Sequence, residues 1–113
     1  MAIPHATSGQ VVDIRPLGEK LKQSVTTTLV KTDKLEVIRL VLPAGKEIPH
    51  HQVTGEITVQ CLEGLVSFTA QGQTKVLEAG QLLYLSGSEL HALKGVEDSS
   101  VLVTILLEKK AGG

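Results

Sequence analysis

The side chains with the clearest capacity for chemistry lie in two stretches of the sequence. Gly45 to Gly64 (GKEIPHHQVTGEITVQCLEG) carries a cluster of polar groups, namely His50, His51, Gln52 and Glu56. A second stretch, from Gly80, ends on His91. Imidazole and carboxylate groups bind first-row transition metals, and imidazole is also a general base near neutral pH. A fold that brings the two stretches together would therefore build a ligand site.

Other reactive side chains predict less. Cys61 is the only cysteine, so no intramolecular disulfide and no cysteine-based zinc site can form. Its place in an alternating apolar segment indicates a core thiol. Tyr84 is interpreted as a packing residue, with proton donation to a substrate as the alternative. Ser86 and Ser88 precede His91, but no strand-to-helix elbow surrounds them, which argues against a nucleophilic triad.

Composition excludes several classes of partner. The chain has 113 residues, 42% of them apolar, and a formal net charge of −1, which fits one domain with its own core. Basic residues are scattered, so neither nucleic acid nor an acidic membrane surface is an expected partner. No apolar run reaches the roughly 18 residues of a membrane span, and no signal-like segment opens the chain. A cytoplasmic location is predicted.

The elements that must position these groups are short strands. Thr26 to Val30 is β-branched, and Leu35 to Leu42 is apolar on both faces, which predicts a buried strand. Further strands are predicted at 57–62, 65–70, 74–77, 81–85, 91–93 and 101–107, with a hairpin turn at Gln71-Gly72-Gln73. Val11 to Ile14 is predicted as an edge strand, and Pro16 to Gln23 as one helical turn at most. This pattern indicates an antiparallel sandwich or barrel.

The two stretches resemble the paired motifs of the cupin superfamily, which are small jelly-roll barrels. The first family motif runs Gly, five residues, His, one, His, three or four, Glu, six, Gly. Gly45 and Gly64 match its two ends and His51 its first histidine, while Val53 stands at the second histidine and Ile57 at the glutamate.

The second family motif runs Gly, five residues, Pro, one, Gly, two, His, three, Asn. Gly80 and His91 match, and the other three positions are replaced, by Ser86, Ser88 and Gly95. The match covers roughly residues 35–107. It implies an all-β, antiparallel jelly-roll β-barrel of the small, RmlC-like type. Residues 1–34 would then form an N-terminal arm and the first strands of the same domain, and 108–113 a tail.

The resemblance implies a pocket at the barrel mouth. Its expected residues are His51, Val53, Ile57, His91 and Tyr84. Of the four positions that hold metal in metal-dependent cupins, only His51 and His91 carry ligand side chains, fewer than the three protein ligands typical of a catalytic site. One divalent ion (iron, manganese, nickel or zinc) or none is therefore expected.

A second alignment of the first motif, shifted by one residue, remains open. It puts His50, Gln52 and Glu56 at the ligand positions. Strand parity favours the first alignment, because the odd positions from His51 to Cys61 are apolar and suit a barrel interior. A bulge or turn at Thr54-Gly55 would place the histidines and the following strand on different faces, and the parity of β-strand side chains would then not apply.

These observations favour a small protein that binds a small molecule in the barrel, with a degraded or absent metal site. The alternative is a metal-dependent dioxygenase or isomerase that uses His50 or His51, Gln52, Glu56 and His91. Metal-free isomerisation with His51 or His91 as base, and a regulatory ligand-binding domain, are further hypotheses. The two doubly apolar strands, Leu35 to Leu42 and Val101 to Leu107, predict a sheet-packed homodimer.

Overall fold

A computed structural model describes residues 5–51 and 53–107, with His50 and His51 described by their backbone alone. This part of the chain holds one 3₁₀ helix, Gly18–Gln23, and nine strands. The strands are β1 (Thr27–Lys31), β2 (Leu35–Leu42), β3 (Glu47–His51), β4 (Ile57–Glu63), β5 (Leu65–Ala70), β6 (Gln73–Glu78), β7 (Leu82–Leu85), β8 (His91–Gly95) and β9 (Ser99–Leu106). No helix among the described residues is long and apolar enough to cross a membrane.

The strands pair into two open antiparallel sheets. The five-stranded sheet has the order β1-β2-β9-β4-β7, and the four-stranded sheet has the order β3-β8-β5-β6. Their inner faces pack on each other through a shared apolar core. The prediction of an all-β antiparallel fold is confirmed, in the form of a sandwich whose sheets are not closed into one ring.

Alternation of side chains builds the core. In β4 the side chains of Ile57, Val59 and Cys61 are buried, whereas the residues between them are half-buried. Val66 and Phe68 on β5 face them from the other sheet, and Phe68 is among the largest fully buried side chains. The predicted parity therefore holds within β4, and Cys61 is a core thiol whose burial raises its pKa.

A hairpin joins β5 to β6, as predicted, but its turn has two residues, because Gln73 already belongs to β6. Gln71 and Gly72 have φ angles of 55° and 73°, between the paired residues Ala70 and Gln73. Positive φ at both central positions matches the twist of the flanking strands, and glycine adopts it without a steric cost. The pairing between β5 and β6 is continuous from there.

Three elements differ from prediction. The 3₁₀ helix Gly18–Gln23 has six residues, about two turns, where one turn at most is predicted. Glu47–His51 forms the edge strand β3, which the sequence conceals because Pro49 lies within it. Proline cannot donate to a sheet, but an edge strand tolerates it. The edge strand predicted at 11–14 is wrong. That segment has no strand structure, and the Nη2 atom of Arg39 on β2 donates to the carbonyl oxygens of Asp13 and Arg15, at 3.4 and 3.1 Å.

The segment from residue 11 to 24, hereafter the N-terminal segment, is also held by Glu63. The Glu63 carboxylate accepts hydrogen bonds from the backbone N–H groups of Leu17 (2.8 Å) and Gly18 (3.0 Å) and from the hydroxyl of Ser100. Simple alternation along β4 would point Glu63 into the core, like Cys61 two residues earlier. A bulge between the two residues shifts the register, so that Glu63 pairs with Ser100 and does not face the core. The bulge therefore turns an acidic side chain into an anchor for the N-terminal segment.

Candidate functional site

His91 is the best-defined polar group on the inner face of the four-stranded sheet. It begins β8 and is only 3% exposed. Its Nδ1 atom lies 3.0 Å from the carbonyl oxygen of Glu89. A carbonyl oxygen only accepts, so Nδ1 donates this bond, which fixes the orientation of the ring. A contact of this kind is typical of histidines that bind metals or act as bases.

Phe68 supports the His91 ring from the neighbouring strand. The two rings are nearly parallel, with centroids 5.6 Å apart and an angle of 9° between their planes. The register explains the contact, because Ala70 pairs with His91 and Phe68 with Leu93, so His91 and Phe68 are diagonal neighbours on one face. Phe68 was not predicted as a site residue. The alternation of Val66, Phe68 and Ala70 could have placed it there only if the pairing of β5 with β8 had been known.

His51 is the backbone register partner of His91. The two residues lie opposite each other across β3 and β8, after a register shift between Ile48 and His51. The fold thus brings the first motif beside the second, as the resemblance implied. The side chains of His50 and His51, and the whole of Gln52, lie outside the described residues, so their predicted roles stay predictions.

A bend lies before β4, which belongs to a different sheet from β3. Thr54 and Gly55 form the bend, and the N–H of Ser88 donates to the carbonyl of Val53 at 2.8 Å. A Cβ atom on Gly87 would lie 2.2 Å from the carbonyl oxygen of Thr54, so only glycine permits this approach. The two motif loops are therefore packed against each other. The bend also means that strand parity does not extend from β4 back to the histidines.

Ser88 stands where the second family motif has glycine. Its φ is 66°, in the left-handed region that glycine adopts easily and other residues rarely do. This position therefore has a backbone conformation that favours glycine, although serine occupies it.

The two apolar replacements in the first motif belong to the core. Ile57 is 2% exposed, and Val53 is half-buried and packs against the core cluster. Neither side chain can coordinate a metal. These two motif positions therefore carry apolar side chains and no metal ligand.

Glu56 and Tyr84 form a pair of their own. The Tyr84 hydroxyl donates to Oε1 of Glu56 at 2.5 Å, and this bond raises the pKa of Tyr84. Both residues are exposed, Tyr84 by 58%. The neighbours of Tyr84 on β7, Leu83 and Leu85, pack into the core, so Tyr84 lies on the outer face of the five-stranded sheet. His91 lies on the inner face of the other sheet.

The described side chains include no group of three or more histidine, cysteine, aspartate or glutamate residues arranged to hold a metal ion. His91 could supply one nitrogen ligand through Nε2. Further ligands would have to come from His50, His51 or Gln52, whose side chains are outside that description. A bound metal therefore remains a prediction.

A small cavity lies beside Phe68, between β7 and the hairpin of β5 and β6. Its volume is about 70 Å³, and its apolar lining is Phe68, Ala70, Leu83 and Leu85. Gln71, Gln73, Lys75 and Tyr84 contribute its polar surroundings. A space of this size holds about two water molecules at ~30 Å³ each. Phe68 contacts both this cavity and His91.

Known structures identify the fold. The chain is similar to a conserved protein of unknown function from Streptococcus pyogenes, with 26% identity, a TM-score of 0.74 and coverage of 96% of each chain. It is also similar to a cupin superfamily protein from Desulfitobacterium hafniense (17% identity, TM-score 0.74, 87% of this chain and 95% of that one). A third is an RmlC-like cupin with a double-stranded β-helix fold from Methanocaldococcus jannaschii (18% identity, TM-score 0.72, 88% of this chain and 94% of that one).

No family model and no curated protein sequence matches the chain. The class that the structure defines is a small antiparallel β-sandwich with two motif loops joined at one end. The chain has the cupin fold, and the resemblance seen in its sequence is confirmed at that level.

Proposed function

We propose that this cupin binds a small molecule at the inner face beside His91. The supporting observation is the buried His91 ring itself. Its proton is held at Nδ1 by Glu89, and Phe68 stacks on it. The imidazole is a buried polar group of fixed orientation among apolar neighbours, and a few such groups are what give mostly apolar pockets their specificity.

His51 is the proposed second polar group of the pocket. It is the register partner of His91, and antiparallel partners are adjacent. Val53 and Ile57 supply apolar contact in place of the ligands found in metal-dependent cupins. A small, largely apolar molecule with one or two hydrogen-bonding groups fits this combination.

The experiment compares three histidine variants in a ligand-observed NMR screen of small carboxylic acids, sugars and keto acids. His91→Ala removes the proposed contact, His51→Ala the second one, and His5→Ala is the control because His5 is exposed far outside the motifs. Compounds that bind wild type and His5→Ala but not His91→Ala are expected. Equal binding to all four proteins would contradict the proposal.

A metal-dependent enzyme, either a dioxygenase or an isomerase, is the second candidate. The observation that favours it is the contact of His91 Nδ1 with the carbonyl oxygen of Glu89, because histidines that bind metals are commonly oriented by such a contact. Metal analysis of protein purified without chelator separates the two candidates. One equivalent of iron, manganese, nickel or zinc that is lost in both His51→Ala and His91→Ala would support the enzyme.

The cytoplasmic location and the homodimer also remain proposals. Support for the homodimer comes from apolar side chains on the outer face of the five-stranded sheet. Leu82, Tyr84 and Leu106 are exposed by 57%, 58% and 45%, and Leu102 is half-buried on the same face. A second copy would cover them.

A further inference from the structure

A groove lies on the opposite side of the molecule from His91, between the N-terminal segment and β1. Its volume is about 450 Å³. Val12, Leu17, Val25 and Leu29 give it an apolar lining, and Arg39 is its cationic residue. We refer to it as the Arg39 groove.

Arg39 is an unusual residue to find buried. It is 9% exposed, and its Nη2 atom donates only to the backbone carbonyls of Asp13 and Arg15. Its Nε–H is buried and has no hydrogen-bond acceptor among the described residues. Burying a guanidinium donor without an acceptor is costly, so an occupant that supplies one would stabilise this site.

Two acidic residues interact with the charge of Arg39 but form their own contacts, namely Asp13, which lines the groove, and Glu63. Asp13 forms an ion pair with Arg15 at 2.8 Å, and this contact holds the pKa of Asp13 well below its usual range. Glu63 accepts hydrogen bonds from the N-terminal segment and from Ser100. These carboxylates attract Arg39 but do not bond to its Nε, and their charge would repel a ligand with several negative charges.

The geometry points to a binding site for a small aliphatic monocarboxylate in the Arg39 groove. The carboxylate accepts from the Nε–H of Arg39, a charge-assisted bond that neither backbone carbonyl provides. The hydrocarbon chain lies along Val12, Val25 and Leu29. This site is on the outer side of the five-stranded sheet, so it is independent of the function proposed around His91.

Hexanoate is the probe, and the Arg39 side chain reports its binding directly. The chain has two arginines, so an ¹⁵N–¹H spectrum shows two Nε–H signals, and Arg15→Lys removes the one that is not Arg39. Hexanoate is expected to shift the Arg39 signal in a saturable way. Hexanamide has the same chain and a neutral acceptor, and it is expected to bind more weakly.

Two matched variants test whether hexanoate binds in the Arg39 groove and whether its negative charge matters. Val25→Asp puts a carboxylate on the groove at a site that is 74% exposed, whereas Val76→Asp makes the same change on β6 at a site that is 54% exposed. Repulsion by an exposed charge should weaken hexanoate binding about threefold to fivefold in Val25→Asp. Val76→Asp should leave the binding of both ligands unchanged. In Val25→Asp hexanamide loses only the apolar contact with Val25, so its binding should weaken less than that of hexanoate.

Three results would overturn the inference. An Arg39 signal that does not move with hexanoate shows that the Nε–H group accepts no carboxylate as its partner. Equal binding of hexanamide and hexanoate shows that the charged carboxylate contributes nothing to recognition. A change in sedimentation coefficient that follows the Arg39 shift shows that a second copy of the chain fills the groove.

Discussion

The ring of His91 lies parallel to the ring of Phe68, at a centroid distance of 5.6 Å, and both are nearly excluded from solvent. Phe68 is at the same time a central residue of the core between the sheets. The orientation of the proposed pocket histidine therefore depends on core packing as well as on its bond to Glu89. Stability and site geometry are linked through one aromatic side chain.

Replacing Phe68 tests this link. Phe68→Ala should lower the free energy of unfolding by about 3–5 kcal/mol, the usual range for a buried phenylalanine. Phe68→Leu keeps most of the buried hydrocarbon and leaves a smaller cavity, so it should cost clearly less than Phe68→Ala. It still removes the stacked ring, so the His91 ring resonances should shift in its NMR spectrum.

Urea unfolding measures the stability of both variants, with the exposed Val76→Ala as control. Unchanged His91 resonances in Phe68→Leu would show that Glu89 alone fixes the ring. A stability equal to wild type in Phe68→Ala would contradict the packing described for the core.

Glu63→Gln should loosen the N-terminal segment. The wild-type carboxylate accepts three hydrogen bonds, from two backbone N–H groups and from Ser100. A single hydrogen bond to a charged group contributes about 1.5–3 kcal/mol, but bonds that share one acceptor group do not add up. We expect a loss of about 2 kcal/mol in total and faster amide exchange at Leu17 and Gly18. Glu78→Gln, at an exposed position on β6, is the control, and equal exchange in both variants would contradict the anchoring role.

Acid should remove the same contribution. Burial by itself raises the pKa of Glu63, but the hydrogen bonds from Ser100, Leu17 and Gly18, together with the charge of Arg39, outweigh it and lower the pKa. A lowered pKa means that the stabilisation is complete above the unfolded value, about 4.3, and is lost as the pH falls through the folded value. The stability difference between wild type and Glu63→Gln should therefore be constant from pH 6 to 8 and shrink below about pH 4. A difference that grows in acid would contradict this assignment.

Strand pattern predicted most of the fold because alternation and turn chemistry are local. Leu35–Leu42 forms a strand with the predicted bounds, and the turn at Gln71 and Gly72 is where glycine indicated it. The edge strand β3 was missed because Pro49 interrupts its pattern, and an edge needs no hydrogen bonds on one side. The hydrogen bonds from the N-terminal segment to Glu63 depend on the bulge in β4, which no local sequence pattern predicts.

The site was harder to predict because it depends on which strands pair. Strand parity holds only along one continuous strand, yet between His51 and Cys61 the chain bends at Thr54 and Gly55 and changes sheets. The contact of His91 with Phe68 requires the register of β5 with β8, and the burial of Arg39 requires the path of the N-terminal segment. Neither follows from periodicity.

Cys61 should be almost inert in the folded protein. It is fully buried, burial raises its pKa, and its Sγ–H donates to the carbonyl of Glu63 at 3.4 Å. Because a thiolate is the reactive species, Ellman's reagent should react at least about a hundredfold more slowly with native than with urea-unfolded protein. Rapid reaction of the native protein would show that β4 opens locally near its bulge.

The homodimer proposal makes a prediction about one face only. Leu106 on β9 is 45% exposed on the outer side of the five-stranded sheet, and Val76 on β6 is 54% exposed on the outer side of the other sheet. If two copies pack through the five-stranded sheets, Leu106→Glu buries an unpaired carboxylate in the interface and should weaken association by about tenfold or more. Val76→Glu should leave it unchanged. Sedimentation velocity at micromolar concentration distinguishes the outcomes, and a monomeric wild type, or equal weakening by both substitutions, would contradict a dimer built on this face.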